Sequence, residues 1–112
     1  MGDAGDIWTL QRRTDGQTIA GLVVVSGDFP WLNARVDPRE GFEEFLPLFA
    51  EELTQLDRID EDGAAWDRAY NAIRAAVTLR YPTGDEVPEF LLHVDGTEAW
   101  WRWSDEPFAH DE

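Results

Sequence analysis

The sequence predicts an α+β fold in which an antiparallel β-sheet carries two helices on one face, in the order βββ-αα-βββ. Apolar residues alternate with polar ones over the first and last thirds of the chain, which is the spacing of strands. Over the middle third they recur every three or four residues, which is the spacing of amphipathic helices. Grouping strands and helices in blocks along the chain is typical of an α+β domain. We expect residues 1–112 to form one domain, with polar tails at residues 1–6 and 105–112.

Three strands are expected before the helices. Asp15-Gly16 lies between two runs rich in β-formers and is a strong signal for a two-residue hairpin turn. Such a turn would place Leu10 opposite Gly21 and Trp8 opposite Val23. One face of the hairpin would then carry Trp8, Leu10, Ile19, Val23 and Val25, and the other Ile7, Leu22 and Val24 with Thr9 and Gln11. The alternating run WLNARV, residues 31–36, predicts the third strand.

Two helices are expected in the middle third. The first apolar stripe runs through residues 40–57, and the second predicts a helix over about residues 63–75. Pro47 lies inside the first stripe and lacks an N–H donor. It therefore predicts either a kink or a short first helix that ends near Leu46.

A second hairpin is expected near the C-terminus, with Asp95-Gly96 as its turn. That turn would pair Val94 with Thr97, His93 with Glu98, and Leu91 with Trp100. One face would be almost wholly apolar and is predicted to be core: Phe90, Leu92, Val94, Ala99, Trp101 and Trp103. Aromatic side chains at regular strand spacing usually fill interiors.

The opposite face of this hairpin is the candidate partner-binding surface. An exposed Trp flanked by arginines is typical of the residues that anchor protein–protein interfaces. An ordinary solvated sheet face with cross-strand charge pairs fits the same pattern equally well. If Leu79 lies beside Phe90, a ladder of the charged residues Arg80, Glu89 and Arg102 would cross three strands. The candidate residues are Leu91, Trp100, Arg102, Arg80, Glu89 and His93.

Composition argues against several classes of partner. The formal net charge is −15, from 24 acidic and nine basic residues. Such a chain repels phosphate backbones and anionic lipids, so we expect neither nucleic-acid nor membrane binding. There is no cysteine, no signal peptide pattern and no long apolar run, and we expect a cytoplasmic protein. The expected partner is another protein or a second copy, bound through the sheet face or by strand addition at an exposed edge.

The sequence contains few of the residue patterns that catalysis requires. His93 could pair with the carboxylate of Asp95 or Glu98 and so resemble a general base. No nucleophile pattern accompanies it, and a structural cross-strand pair is favoured. The sequence contains no metal-binding motif and no glycine-rich phosphate loop, so we assign no catalytic residue, metal or cofactor. The alternative to a protein-binding surface is a ligand pocket between helices and sheet, lined by Trp31, Trp66 and Trp103. Phe29 and Trp31, on either side of Pro30, are expected to fill the edge of the core, and the alternative is that they rim a pocket or partner site.

The runs GDFPWLNARVDPREGF, PLFAEEL and EFLLHVDGTEAWWRW together resemble small acidic proteins of high-GC actinobacteria. The use of arginine as the sole basic residue, with abundant Ala, Asp and Glu, is similar in style. The resemblance covers most of the chain. It implies no activity, and it transfers no functional residue.

Overall fold

A computed structural model describes residues 5–28 and 31–104. The predicted order of three strands, two helices and three strands is confirmed, and so is the α+β class. The strands are β1 (Ile7–Arg12), β2 (Thr18–Asp28), β3 (Trp31–Pro38), β4 (Val77–Arg80), β5 (Glu89–Asp95) and β6 (Glu98–Ser104), and the helices are α1 (Leu46–Asp57) and α2 (Gly63–Ala76). Residues 1–4 and 105–112 of the predicted tails, like Phe29, lie outside the described residues. Residues 5 and 6 are bonded rather than loose, because their backbones hydrogen-bond to Val24.

The six strands form one antiparallel sheet in the order β4-β1-β2-β3-β6-β5. This sheet is nearly barrel-shaped and not flat. Trp8 on β1 contacts Trp101 and Trp103 on β6, with ring centroids 5.4 and 5.1 Å apart. Two strands separate β1 from β6 in the hydrogen-bonded order, so these contacts cross the interior of the curled sheet. The helices do not cover a flat face: α1 contacts the sheet chiefly along β5.

The first hairpin has a different register from the predicted one. Leu10 lies opposite Ala20 and Trp8 opposite Leu22, with a bulge after Leu10. The turn is longer than two residues, because the Arg12 N–H donates to the carbonyl of Gln17. The buried set is therefore shifted: Leu22 and Val24 point inward, Val23 is half-buried, and Val25 is 57% exposed. The predictions for Ile19, which is buried, and for Ile7, which is 50% exposed, are confirmed.

Asp15 stabilises this longer turn. Its carboxylate accepts hydrogen bonds from the Arg12 guanidinium at 2.8 and 3.0 Å and from the Gln17 N–H at 3.1 Å. The Arg12 hydrogen bonds, followed by that of Gln17, lower the pKa of Asp15 to about 2. The aspartate signalled a turn correctly, but its side chain supports a wider one than the dipeptide rule predicts.

The second hairpin turns at Gly96-Thr97, so that Asp95 pairs with Glu98. Gly96 has a φ of 63°, and a positive φ at the first central position is typical of a type II′ turn. The predicted pairs are therefore wrong by two residues. Because side chains alternate with a period of two, each nevertheless lies on its predicted face. The predicted core face is buried, except that Trp103 is half-buried: Phe90, Leu92, Val94, Ala99 and Trp101.

Pro47 lies in the first turn of α1, and the helix runs without interruption from Leu46 to Asp57. A proline is tolerated there because the first N–H groups of a helix have no intrahelical partner. A separate 3-10 turn, Phe42–Phe45, ends just before it, as the second of the two alternatives for Pro47 predicted. The second helix agrees closely with the predicted range and begins after Asp62, whose carboxylate accepts from the Ala65 N–H at 3.0 Å.

Both outer strands of the described sheet have hydrogen-bond partners along their free edges. The Val87 N–H donates to the Leu79 carbonyl of β4 at 2.9 Å. On β5, the Tyr70 hydroxyl donates to the Phe90 carbonyl at 2.5 Å and accepts from the Leu92 N–H at 3.1 Å. Strand addition, the predicted second route to a dimer, is blocked at these positions. No helix within the described ranges is long and apolar enough to cross a membrane.

Candidate functional site

A buried Glu52–His93 pair joins α1 to β5. The Nδ1 atom of His93 lies 2.9 Å from Oε1 of Glu52, and these residues are 3% and 0% exposed. The predicted pairing of His93 with Glu98 on a solvated face is therefore wrong. Trp100, and not Glu98, lies opposite His93 in the sheet, and α1 covers this part of β5.

The indole of Trp66 completes this network from α2. Its Nε1–H donates to Oε2 of Glu52 at 2.6 Å, so that both carboxylate oxygens have partners. A buried carboxylate without partners is costly, and breaking such a pair on one side is strongly destabilising. Glu52 therefore fixes the relative positions of α1, α2 and β5.

Two further indoles pack against the His93 imidazole. The ring centroids of Trp31 and Trp100 lie 5.9 and 5.4 Å from it, and the Trp31 ring is nearly parallel, at 25°. Trp100 is half-buried. Its ring thus contributes to the cover of His93 and is not the freely exposed anchor that the sequence predicted.

The chemistry of this pair is that of a carboxylate orienting an imidazole. Catalysis would also require that a substrate reach the imidazole. Within the described residues, neither His93 nor Glu52 lines the three best-formed grooves. In residues 5–28 and 31–104, no three His, Asp or Glu side chains converge as a metal site would require. The Glu52–His93 pair holds α1 against β5, beside the groove that Trp66 lines.

A groove of about 510 Å³ lies next to this network, between α2 and the outer face of β5 and β6. We call it the α2 groove. Trp66 and Tyr70 form an aromatic wall, with stacked rings 5.4 Å apart and 7° from parallel. The groove is lined by Trp66, Tyr70, Asn71, Arg74, Glu89, Phe90, Leu91 and Arg102.

Two arginines line this groove in a chain that is strongly acidic overall. Arg74 lies 3.6 Å from the Glu89 carboxylate, and its guanidinium carbon is 4.4 Å from the centre of the Phe90 ring. Arg102 lies opposite Leu91 on the neighbouring strand and is exposed. Burial raises the pKa of Tyr70. The groove combines an apolar wall with two guanidinium groups and the Glu89 carboxylate, so its lining carries a net positive charge and suits a ligand that is apolar on one side and anionic on the other.

The structure brings together part of the predicted partner surface. Glu89, Leu91 and Arg102 line the α2 groove, while His93 and Trp100 form the next cross-strand pair on the same face of the hairpin. Arg80 lies elsewhere. Strand β4 pairs with β1 and not with β5, and the Arg80 guanidinium donates to the Gln11 side chain and to the Gly84 carbonyl, both at 2.8 Å. The predicted Arg80–Glu89–Arg102 ladder therefore does not form.

The alternative pocket of three tryptophans is not assembled as predicted. Trp66 lines the α2 groove, whereas Trp31 packs on His93 at the outer face of the sheet. Trp103 lies on the inner face against Trp8. Trp31 and Trp103 cannot line one pocket because strand alternation directs them to opposite faces.

Sequence reasoning missed Glu52, Tyr70 and Arg74 as members of this site. Glu52 lies three residues after Phe49 and therefore on the apolar face of α1. A carboxylate inside an apolar stripe was the available signal for a buried partner. Nothing local marked Arg74 or Tyr70, because their contacts depend on where β5 lies.

Comparison of the chain with protein-family models, with curated proteins and with solved structures gave no match.

Proposed function

We propose that the protein is a non-catalytic binding module, and that it holds a segment of a partner protein in the α2 groove. The observation that carries this proposal is the convergence of a stacked aromatic wall and two arginines on one open groove. Aromatic residues and arginine are the types most enriched at the energetic centres of protein interfaces. The groove's volume of about 510 Å³ lies within the range of about 300–1,000 Å³ that is usual for small-molecule sites.

The chemistry of the groove selects the segment. An aliphatic or aromatic side chain would pack against Trp66, Tyr70 and Leu91. A neighbouring carboxylate would lie near Arg102, because the Arg74 guanidinium is already within 3.6 Å of the Glu89 carboxylate, and a planar guanidinium group favours carboxylate geometry. An acidic segment would be attracted only at the arginines of the groove, because the net charge of −15 repels it elsewhere on the protein. The same excess charge would exclude longer acidic partners and so adds selectivity.

Preorganisation supports the proposal. The Glu52–His93–Trp66 network holds one wall of the groove, since Trp66 belongs to both. A wall fixed before binding lowers the conformational entropy lost on association. Within this proposal the protein acts in the cytoplasm.

The test is selection from a displayed library of random peptides, using the full chain as bait. We expect enrichment of peptides that carry an apolar residue beside Asp or Glu. Arg102→Glu should weaken the best of these by about tenfold, as expected for a lost charge-assisted contact replaced by repulsion. The matched control is Arg68→Glu, the same charge change at an exposed position of α2 that does not line the groove.

Three outcomes would contradict the proposal. One is that no peptide is enriched. Another is that Arg102→Glu and Arg68→Glu bind the selected peptides equally. The third is that sedimentation shows a dimer which Arg102→Glu dissociates, because the groove would then be occupied by a second copy of this chain.

A further inference from the structure

We infer that a second groove, between α1 and the turn of the β5–β6 hairpin, binds a basic segment with apolar side chains. We call it the α1 groove. Its volume is about 420 Å³, and it is lined by Leu46, Phe49, Ala50, Leu53, Thr54, Asp57, Val94, Asp95 and Gly96. It shares no lining residue with the α2 groove, and the inference does not depend on the function proposed there.

The floor of the α1 groove is apolar. Phe49 and Val94 are buried beneath it, and Leu53 is half-buried. Leu46 is 39% exposed, which is one of the largest exposures of a big aliphatic side chain in the described residues. The residues that α1 contributes recur at the spacing of a helix face, so this apolar strip continues along the helix. An aliphatic side chain of a partner would gain about 25 cal/mol for each Å² of apolar surface that it buries there.

The rim of the α1 groove is acidic. Asp57, at the end of α1, and Asp95, at the end of β5, both line the groove and are exposed. No arginine lines it, in contrast to the α2 groove. The net charge of −15 adds a long-range attraction for basic partners. Charge complementarity therefore favours Lys or Arg in the partner, next to the side chains that reach the floor.

The length of the apolar strip on α1 indicates how long the bound segment of the partner would be. Helix α1 has 12 residues and is therefore about 18 Å long, at about 1.5 Å per residue. A short amphipathic segment that lies along such a strip is a common mode of peptide recognition.

The probe is a synthetic peptide of about twelve residues, as long as α1, with leucines at helical spacing and arginines on its flanks. A second peptide with glutamates in place of the arginines is the charge control. Titration into the isotopically labelled full chain should move the amide resonances of Phe49–Asp57 and Val94–Gly96 for the arginine peptide only. Binding of the arginine peptide should weaken by about fivefold in Asp57→Asn/Asp95→Asn, as expected for two exposed ion pairs.

The matched control is Asp60→Asn/Glu61→Gln, which removes two charges from the exposed loop between the helices and should leave the affinity unchanged. Ala50→Arg, at an exposed helix position in the groove, should abolish binding without depending on the rim carboxylates. The inference is overturned if the arginine peptide does not bind, if it moves resonances elsewhere, or if the glutamate peptide binds equally. It is also overturned if the two double variants lose the same affinity, since attraction to the net charge alone would explain that result.

Discussion

Glu52 has both carboxylate oxygens engaged, one with His93 of β5 and one with Trp66 of α2. No fragment of the sequence specifies this arrangement, because the three residues come from different elements. The spacing of Glu52 from Phe49 identifies its face on the helix, but the identity of its partners depends on how the helices lie against the sheet. The sequence therefore predicted the contacts of individual buried polar residues less well than it predicted the strands and helices.

Replacing Glu52 by Ala should lower the free energy of unfolding by about 3–5 kcal/mol, because the imidazole and the indole N–H lose their buried partner. Urea denaturation measures this change. Glu51→Ala, at the exposed neighbouring position, is the control and should change stability by less than about 0.5 kcal/mol. Equal effects of the two substitutions would show that the buried pair contributes nothing specific.

The adjacent tryptophans Trp100 and Trp101 should differ in their contribution to stability. Trp101 is fully buried among core residues, and its replacement by Ala should cost about 3–5 kcal/mol. Trp100 is half-buried on the outer face, against His93, so Trp100→Ala should cost less. Thermal melting of the two variants compares them, and a larger loss for Trp100→Ala would contradict the face assignment.

At the scale of elements, strand alternation was predicted better than strand register. The face of every residue in the second hairpin followed from period-two alternation and survived a two-residue shift of its turn. In the first hairpin the shift was by one residue, which exchanged Val23 and Val25 for Leu22 and Val24 in the core. The turn dipeptide alone could not predict this, because Arg12, Asp15 and Gln17 widen the turn through their own hydrogen bonds.

The docking of α2 on β5 has a pH signature through Tyr70. Burial raises the pKa of Tyr70 in the folded protein above the value of about 10 expected in the unfolded chain. As pH rises through about 10, the unfolded chain releases this proton while the folded protein retains it, so the free energy of unfolding should fall. The stabilisation is complete below the unfolded pKa and is lost towards the raised folded value.

Urea denaturation between about pH 8 and pH 11 measures this slope. The sequence contains no lysine and only two tyrosines, so few other groups titrate in this range. Tyr70→Phe should be less stable than the wild type at pH 7, by about 1–3 kcal/mol for the lost hydroxyl contacts. It should also lose most of the decline above pH 10. A variant with the same decline as the wild type would show that Tyr70 is accessible to solvent.

At the scale of the whole molecule, composition and element order predicted the α+β class, but the strand order could not be derived. The order β4-β1-β2-β3-β6-β5 brings β3 beside β6 and β1 beside β4, pairs that are distant in the sequence. Such pairings depend on the curl of the complete sheet, which is visible in the contact between Trp8 and Trp101. The α2 groove was predictable only in its β5–β6 half, where Leu91 and Arg102 share a face. Its other wall required the position of α2.

The net charge of −15 should destabilise the folded chain through self-repulsion. Raising NaCl from about 10 mM to about 300 mM shortens the Debye length from about 30 Å to about 6 Å and screens that repulsion. The melting temperature should therefore rise with salt, as calorimetry would measure. A fall would mean that surface ion pairs, such as Arg12 with Glu44, contribute more than the excess charge costs.

The proposed function requires that the α2 groove bind a partner segment against walls that are fixed in advance. Hydrogen–deuterium exchange of the full chain, with and without a peptide selected from the library, tests it most directly. Exchange should slow over residues 66–74 and 89–91 in the complex, with little change over residues 7–25. Protection confined to β1 and β2, where Ile7 and Val25 are exposed, would contradict it.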